Sequence, residues 1–245
     1  MKKQRLDLAL VERGLVETRS KAQSLIMARR ILVNDQHVDK AGATVAPEDE
    51  LRIEALEHPW VGRGGMKLAH ALEQFAIDLT GKTVADIGAS TGGFTDVMLK
   101  SGARRVYAID VGYGQLDQSL RNDERVVTRE KVNARFLTAS DFDEPIEFVS
   151  IDVSFIPLKL ILPAVATFLR GGLVALIKPQ FEVGKADVGK GGIVRDEAKR
   201  AAAVGAVVAC ARELGFTVHG VVESPIKGAE GNVEFLMHAE MVGAG

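Results

Sequence analysis

Four charged residues could carry chemistry, Lys67, Asp152, Lys178 and Glu234, and the first three stand at strand ends or a helix start, where ligands gather. Lys178 follows the apolar run Leu173 to Ile177, which reads as a buried strand. A cation at the end of such a strand is costly to bury, so it requires a partner acid. Asp152 closes a second apolar run that begins at Ile146. Lys67 opens a helix in Gly64-Gly65-Met66-Lys67-Leu68, and Glu234 lies near the start of the last strand, beside Val233 and Phe235. Each has a plainer reading when taken alone. Lys67 could be a solvated helix residue, and Asp152 and Lys178 a structural ion pair. Alternation with its apolar neighbours would turn Glu234 outward. Taken together they form an ion-paired cluster beside a pocket. Two lysines in one site repel, which favours one of them as a base.

The stretch that must organise such a pocket runs from Thr83 to Asp110. Val84 to Ile87 reads as a strand and Gly88-Ala89-Ser90-Thr91-Gly92-Gly93 as a glycine turn. Phe94 to Ser101 has helical spacing, and Arg105 to Ile109 is a second strand that ends on Asp110. This is the plan of a nucleotide-binding βαβ unit. Its turn lacks the G-x-G-x-x-G spacing, so a dinucleotide pyrophosphate is not expected. The expected ligand is an adenosine without phosphate, S-adenosylmethionine (SAM). Gly88, Gly92 and Gly93 would line the backbone approach, with Ala89 in the same turn. Ser90, Thr91 and Phe94 would border the methionine end, and Asp110 would take the ribose hydroxyls. Asn133 is a candidate for the adenine edge, and Asp152 belongs to both sets.

Further strands are expected at Arg125 to Thr128, Ile146 to Asp152, Leu173 to Ile177, Phe216 to Val222 and Val233 to Ala239, the last two as an antiparallel pair. Helices are expected from Leu158 to Leu169 and Arg195 to Leu214. This alternation predicts an α/β fold, a Rossmann-like doubly wound sheet over residues 62–245, with its ligand at the carboxyl ends of the strands. Residues 58–61, His58-Pro59-Trp60-Val61, read as a linker.

Residues 1–57 read as a small α+β unit. A first helix from Leu6 ends near Gly14, and a second runs from Lys21 to about Arg30 with Ser20 as its N-cap. Ile31 to Val38 reads as strand, turn and strand, cornered at Asn34-Asp35, and Leu51 to Glu54 as a last strand. The first 30 residues hold eight basic residues and three acids, an excess suited to phosphate contact or to a solvated face. The pattern Arg5-Leu6-Asp7, Val11-Glu12-Arg13-Gly14-Leu15, Thr18-Arg19-Ser20-Lys21-Ala22 and Ile31-Leu32-Val33-Asn34 resembles the S4 RNA-binding domain. The resemblance implies that Arg5, Arg13, Arg19, Ser20, Lys21 and Arg29 face structured RNA.

Lys67, Asp152, Lys178 and Glu234 also match, in order and context, the Lys-Asp-Lys-Glu tetrad of FtsJ-like ribose 2′-O-methyltransferases. With the S4-like unit in front, the chain resembles the TlyA family of ribosomal RNA methyltransferases. The phrases Arg63-Gly64-Gly65-Met66-Lys67-Leu68, Asp86 to Asp96, Asp152-Val153-Ser154-Phe155-Ile156 and Ile177-Lys178-Pro179-Gln180-Phe181-Glu182 carry this. His58 stands where that family usually has a basic residue. The resemblance implies SAM-dependent methylation of a cytidine 2′-hydroxyl in ribosomal RNA, free or within subunits. Lys178 would serve as the base, Asp152 and Glu234 would hold the lysines, and Lys67 would steer the hydroxyl and the adjacent phosphate.

The rest of the chain is compatible with this and excludes little else. Its 245 residues, 47% apolar and 26% charged, allow one large domain or two. The single cysteine, Cys210, permits no internal disulfide and suits a reducing cytosol. Charges run through MKKQRLDLALVERG, where a secretory signal needs an apolar core. No uncharged run reaches the roughly 18 residues of a membrane span. A cytoplasmic protein is expected. An inactive RNA-binding protein, a cytolysin and a pseudouridine synthase are the competing classes; the complete tetrad counts against the first, the lack of an expected span or secretory signal against the second, and the glycine turn against the third.

Overall fold

The computed structural model describes residues 3–27, 30–54, 58–184, 187–228 and 231–241, and the chain divides into two compact units, Met1–Pro59 and Trp60–Gly245.

In the first unit β1 (Gln4–Arg5) pairs antiparallel with β4 (Thr44–Val45). Helices α1 (Leu6–Glu12) and α2 (Arg19–Met27) bury Leu6, Leu10, Ala22 and Ile26 against Ile31 and Val45. A sheet of β2 (Ile31–Val33), β3 (Gln36–Val38) and β5 (Leu51–Ile53) has β2 at its centre. Asn34 and Asp35 both take positive φ, 48° and 62°, as a two-residue hairpin turn requires. One expectation needs correction. The cap of α2 is Thr18, whose Oγ1 accepts the Lys21 N–H at 3.2 Å, so Ser20 lies inside the first turn. The described part of α2 ends at Met27, and residues 28 and 29, where its expected end falls, lie outside the described residues.

The second unit is one sheet covered on both faces. In chain order its main elements are α3 (Gly65–Gln74), β6 (Thr83–Ile87), α4 (Gly93–Lys100), β7 (Arg105–Ile109), α5 (Gln118–Arg121), β8 (Val126–Arg129), β9 (Ile146–Ile151), α6 (Leu162–Phe168), β10 (Leu169–Ile177), α7 (Pro179–Glu182), α8 (Glu197–Glu213), β11 (Phe216–Glu223) and β12 (Phe235–Met241). The strand order is β11-β12-β10-β9-β6-β7-β8. The five strands from β10 to β8 are parallel, and β12 runs antiparallel to both β10 and β11. Leu68, Ala71, Val97 and Met98 of α3 and α4 pack one face, and Leu162, Val165, Val207 and Ala211 of α6 and α8 pack the other. Strands buried on both faces read as continuous apolar runs, which is why β6, β9 and β10 are visible in the sequence.

The region after β9 differs from expectation. Leu158–Leu160 is a single 3₁₀ turn, α6 is short, and β10 begins at Leu169 and not at Leu173. Gly171 and Gly172 do not break the strand. A Cβ at Gly171 would stand 2.2 Å from the Glu147 carbonyl oxygen, so glycine lets β10 lie close against β9. Trp60 and Val61 stand with the second unit. Trp60 occupies the space a Cβ on Gly65 would need, and the Val61 N–H donates to Asp96 Oδ2 at 2.8 Å.

Candidate active site

The strand order reverses between β6 and β9, and a cavity of about 490 Å³ opens beyond the carboxyl ends of these strands and β7. Gly88 makes the reversal compact. It has φ +88°, and a Cβ there would lie 2.2 Å from the Asp152 carbonyl oxygen. The N–H groups of Gly88 and Ala89 both donate to the Ile109 carbonyl, at 2.9 and 3.1 Å. This ties the turn to β7. Asp110, just past β7, accepts from the Ser90 N–H at 2.8 Å and the Gly112 N–H at 2.6 Å. Two bonds leave carboxylate lone pairs for a ligand diol. Asn133 lines the same cavity and caps a 3₁₀ turn, Ala134–Phe136, by accepting the Arg135 N–H at 3.2 Å.

Ala89, Thr91, Gly93 and Phe94 line a smaller recess with Gly62, Arg63 and Asp152. Gly92 lines neither space. Its φ of +97° starts α4, and a Cβ there would run into Leu120 and Leu116.

The four charged candidates form two ion pairs. Lys67 of α3 meets Glu234 at 2.5 Å across 167 positions of chain, with side chains 8% and 2% exposed. Glu234 therefore faces inward. It precedes β12, so strand alternation does not govern it, and its carboxylate lies over Gly228, where no Cβ could fit. Lys178 Nζ lies 2.6 Å from Asp152 Oδ1 and donates to Ser154 Oγ at 2.9 Å. Lys67, Lys178 and Glu234 line a second cavity of about 290 Å³ with Gln180 and Phe181. Asp152 is on the wall of the first cavity, and Ser154 and Phe155 line both.

Ser154 and Phe155 were not singled out from the sequence as site residues, although both stand in the phrase that follows β9. Phe155 has φ +65°, is 91% exposed, and has its ring centroid 5.1 Å from that of Phe181. A bulky residue in the left-handed region costs roughly 1–3 kcal/mol and is found where a site needs the turn. Asp86 was also passed over. It is fully buried in β6 and accepts from Thr95 Oγ1 at 2.7 Å and Ser150 Oγ at 2.9 Å. Burial first, with the Asp152 charge adding to it, pushes its carboxyl up to about 7.

The FtsJ-like methyltransferase profile matches residues 60–241, and the S4 domain profile matches residues 4–51. A Bacillus subtilis protein provisionally named rRNA methyltransferase YqxC is 47% identical over 100% of this chain and 88% of its own length. The 16S/23S rRNA (cytidine-2′-O)-methyltransferase TlyA of Mycobacterium tuberculosis is 46% identical over 95% of this chain and 88% of its own. The chain belongs to the TlyA family of FtsJ-like methyltransferases. A solved Streptococcus thermophilus structure, provisionally labelled a hemolysin, superposes with TM-score 0.76 at 45% identity, covering 98% of this chain and 89% of that one.

The methyl donor of a TlyA-family enzyme is SAM, and the first cavity fits it. Apolar Ile109, Val132 and Ile156 offer walls for a base, and Asp110 an acceptor for hydroxyls. Nothing at the turn resembles a pyrophosphate cradle. In the S4 unit, Arg5 and Arg19 remain about half exposed while both pair with buried Asp7, at 3.0 and 2.9 Å. Arg13 is committed to its own unit, donating to the carbonyls of Asp49, Ala46 and Pro47. Ser20 and Lys21 are exposed, and Arg29 lies outside the described residues.

Proposed function

We propose that this chain transfers a methyl group from SAM to the 2′-hydroxyl of a cytidine in ribosomal RNA. The Lys178–Asp152 pair, 2.6 Å apart on the boundary between the two cavities, is the observation that carries the reading. Bound SAM supplies an electrophilic methyl group on a sulfonium. A ribose hydroxyl is a weak nucleophile, so the chain has to align it and assist loss of its proton. Lys178 orients the hydroxyl and receives that proton. Asp152 fixes Lys178 and Glu234 fixes Lys67, which steers the hydroxyl and the adjoining phosphate. Asp110, Asn133, Gly88, Ala89, Ser90, Thr91, Gly93 and Phe94 hold the donor. Arg5, Arg19, Ser20 and Lys21 present the S4 unit to structured RNA, with Arg13 and Arg29 on the same segment. Ribosomal RNA, free or in subunits, is the partner, and the cytoplasm the place of action.

The hemolysin label of some relatives suggests membrane attack. No helix among the described residues is long and apolar enough to cross a membrane, and the paired lysines have no part in such a role.

The test is transfer of labelled methyl from SAM to ribosomal RNA or subunits, followed by mapping of 2′-O-methyl cytidines. Lys178→Ala is expected to bind SAM normally and to lose about 10²–10⁴-fold in kcat. A Lys178→Ala protein that methylates at the wild-type rate would overturn the assignment.

A further inference from the structure

We propose that Ser154 is a positioning residue that aims Lys178 at the acceptor hydroxyl, an inference that rests on the methyl-transfer reading above. To act as a base the Lys178 ammonium first gives a proton to solvent, which leaves a tetrahedral amine with two N–H donors and one lone pair. One direction around Lys178 Nζ is taken by Ser154 Oγ at 2.9 Å, while Asp152 Oδ1 lies 2.6 Å away as a charge partner without hydrogen-bond alignment. Both partners belong to the segment that follows β9, two positions apart. Lys178 and Ser154 line one cavity with Lys67, Gln180 and Glu234. The lone pair of the neutral amine is what receives the proton of a hydroxyl bound in that cavity.

The two anchors do different work. A carboxylate holds an ammonium mainly by charge, and a single anchor leaves the end of a flexible side chain free to swing about it. A neutral hydroxyl adds direction with little added charge, so its removal acts on orientation. The fold holds Ser154 for this task. Phe155 follows with φ +65°, which turns the backbone sharply beside Ser154. The Phe155 ring then meets Phe181, whose N–H donates to the Lys178 carbonyl at 2.9 Å. The Ser154 segment and the Lys178 segment are therefore clasped on both sides of the Oγ–Nζ bond.

The experiment compares Ser154→Ala and Ser154→Thr in the full chain, measuring kcat and KM for the RNA substrate and Kd for SAM. Ser154 is exposed, so neither change burdens the core. Ser154→Ala is expected to lower kcat at least about tenfold while KM and the SAM Kd stay within about twofold, and Ser154→Thr to restore about half the rate or more. A Ser154→Ala protein with wild-type kcat, a loss confined to KM, or a loss that threonine does not restore overturns the role. A wild-type chain that transfers no methyl to any ribosomal RNA overturns the reaction as well, whereas an active wild type with an unaffected Ser154→Ala variant overturns the role alone.

Discussion

Asp86 ties a single buried proton to the stability of the catalytic unit. Its carboxyl rises from an ordinary 3.8 to about 7 because burial penalises the charged form. The folded state thus holds a proton between these values that the unfolded state releases. Stability falls as pH climbs from about 4 to about 7 and levels off above that. Asp86→Asn keeps the shape, and its amide can still engage both hydroxyls. The variant is expected to lose this slope and to gain on the order of a few kcal/mol over wild type at pH 8, with little gain at pH 4. Urea midpoints at the two pH values check it, and parallel curves would contradict it. Asp86 was hard to single out beforehand. β6 is buried along its whole length, so no alternation marks which residue faces α4. For Glu234 only the plainer outward reading fails, because the period-2 rule does not reach a residue that stands just before β12. Asp110, Asp152 and Lys178 were legible because each sits where an apolar run stops.

At the scale of elements, the separation of β9 and β10 sets the distance between Asp152 and Lys178, which follow these strands directly. Gly171 controls that separation from the far end of β10, where its missing Cβ leaves room for the Glu147 carbonyl. Gly171→Ala is expected to cost roughly 1–3 kcal/mol by forcing the strands apart and to lower methyl transfer without touching either cavity. Gly205, inside α8, has open space around it. Gly205→Ala is expected to stabilise by roughly 1 kcal/mol through helix propensity alone. Chemical denaturation of the two variants decides this, and equal effects would show that strand approach is not the cause. Long helices and central strands were readable from periodicity. The two-residue strands β1 and β4 carry too few positions for any period, and the start of β10 was hidden by glycines that usually mark breaks.

At the scale of the molecule, the two units answer acid in opposite ways. Asp7, buried beneath Arg5 and Arg19, has its carboxyl held well below the usual range, with the Arg5 hydrogen bond as the largest cause. A lowered carboxyl stabilises fully above its unfolded value near 3.8 and loses that contribution as pH falls below it. The S4 unit should therefore weaken below about pH 4, while the catalytic unit has by then gained from Asp86. Calorimetry from pH 7 to pH 3 is expected to show two transitions that move apart, and a single transition throughout would refute the independence of the units. The division into two units was legible because the residue pattern changes near position 58. The order of strands within the sheet was not, since no local signal tells β12 to insert between β10 and β11. That insertion has a consequence for how the enzyme matures. A chain growing from its amino end can bring β6, β7 and β9 into register, and with them Gly88, Asp110 and Asp152, while Glu234 has yet to be made. Lys67 emerges early and waits through 167 positions for its partner. On the proposed assignment the donor-side residues are thus made well before Glu234, and a nascent chain is expected to hold its cofactor before it is able to use it.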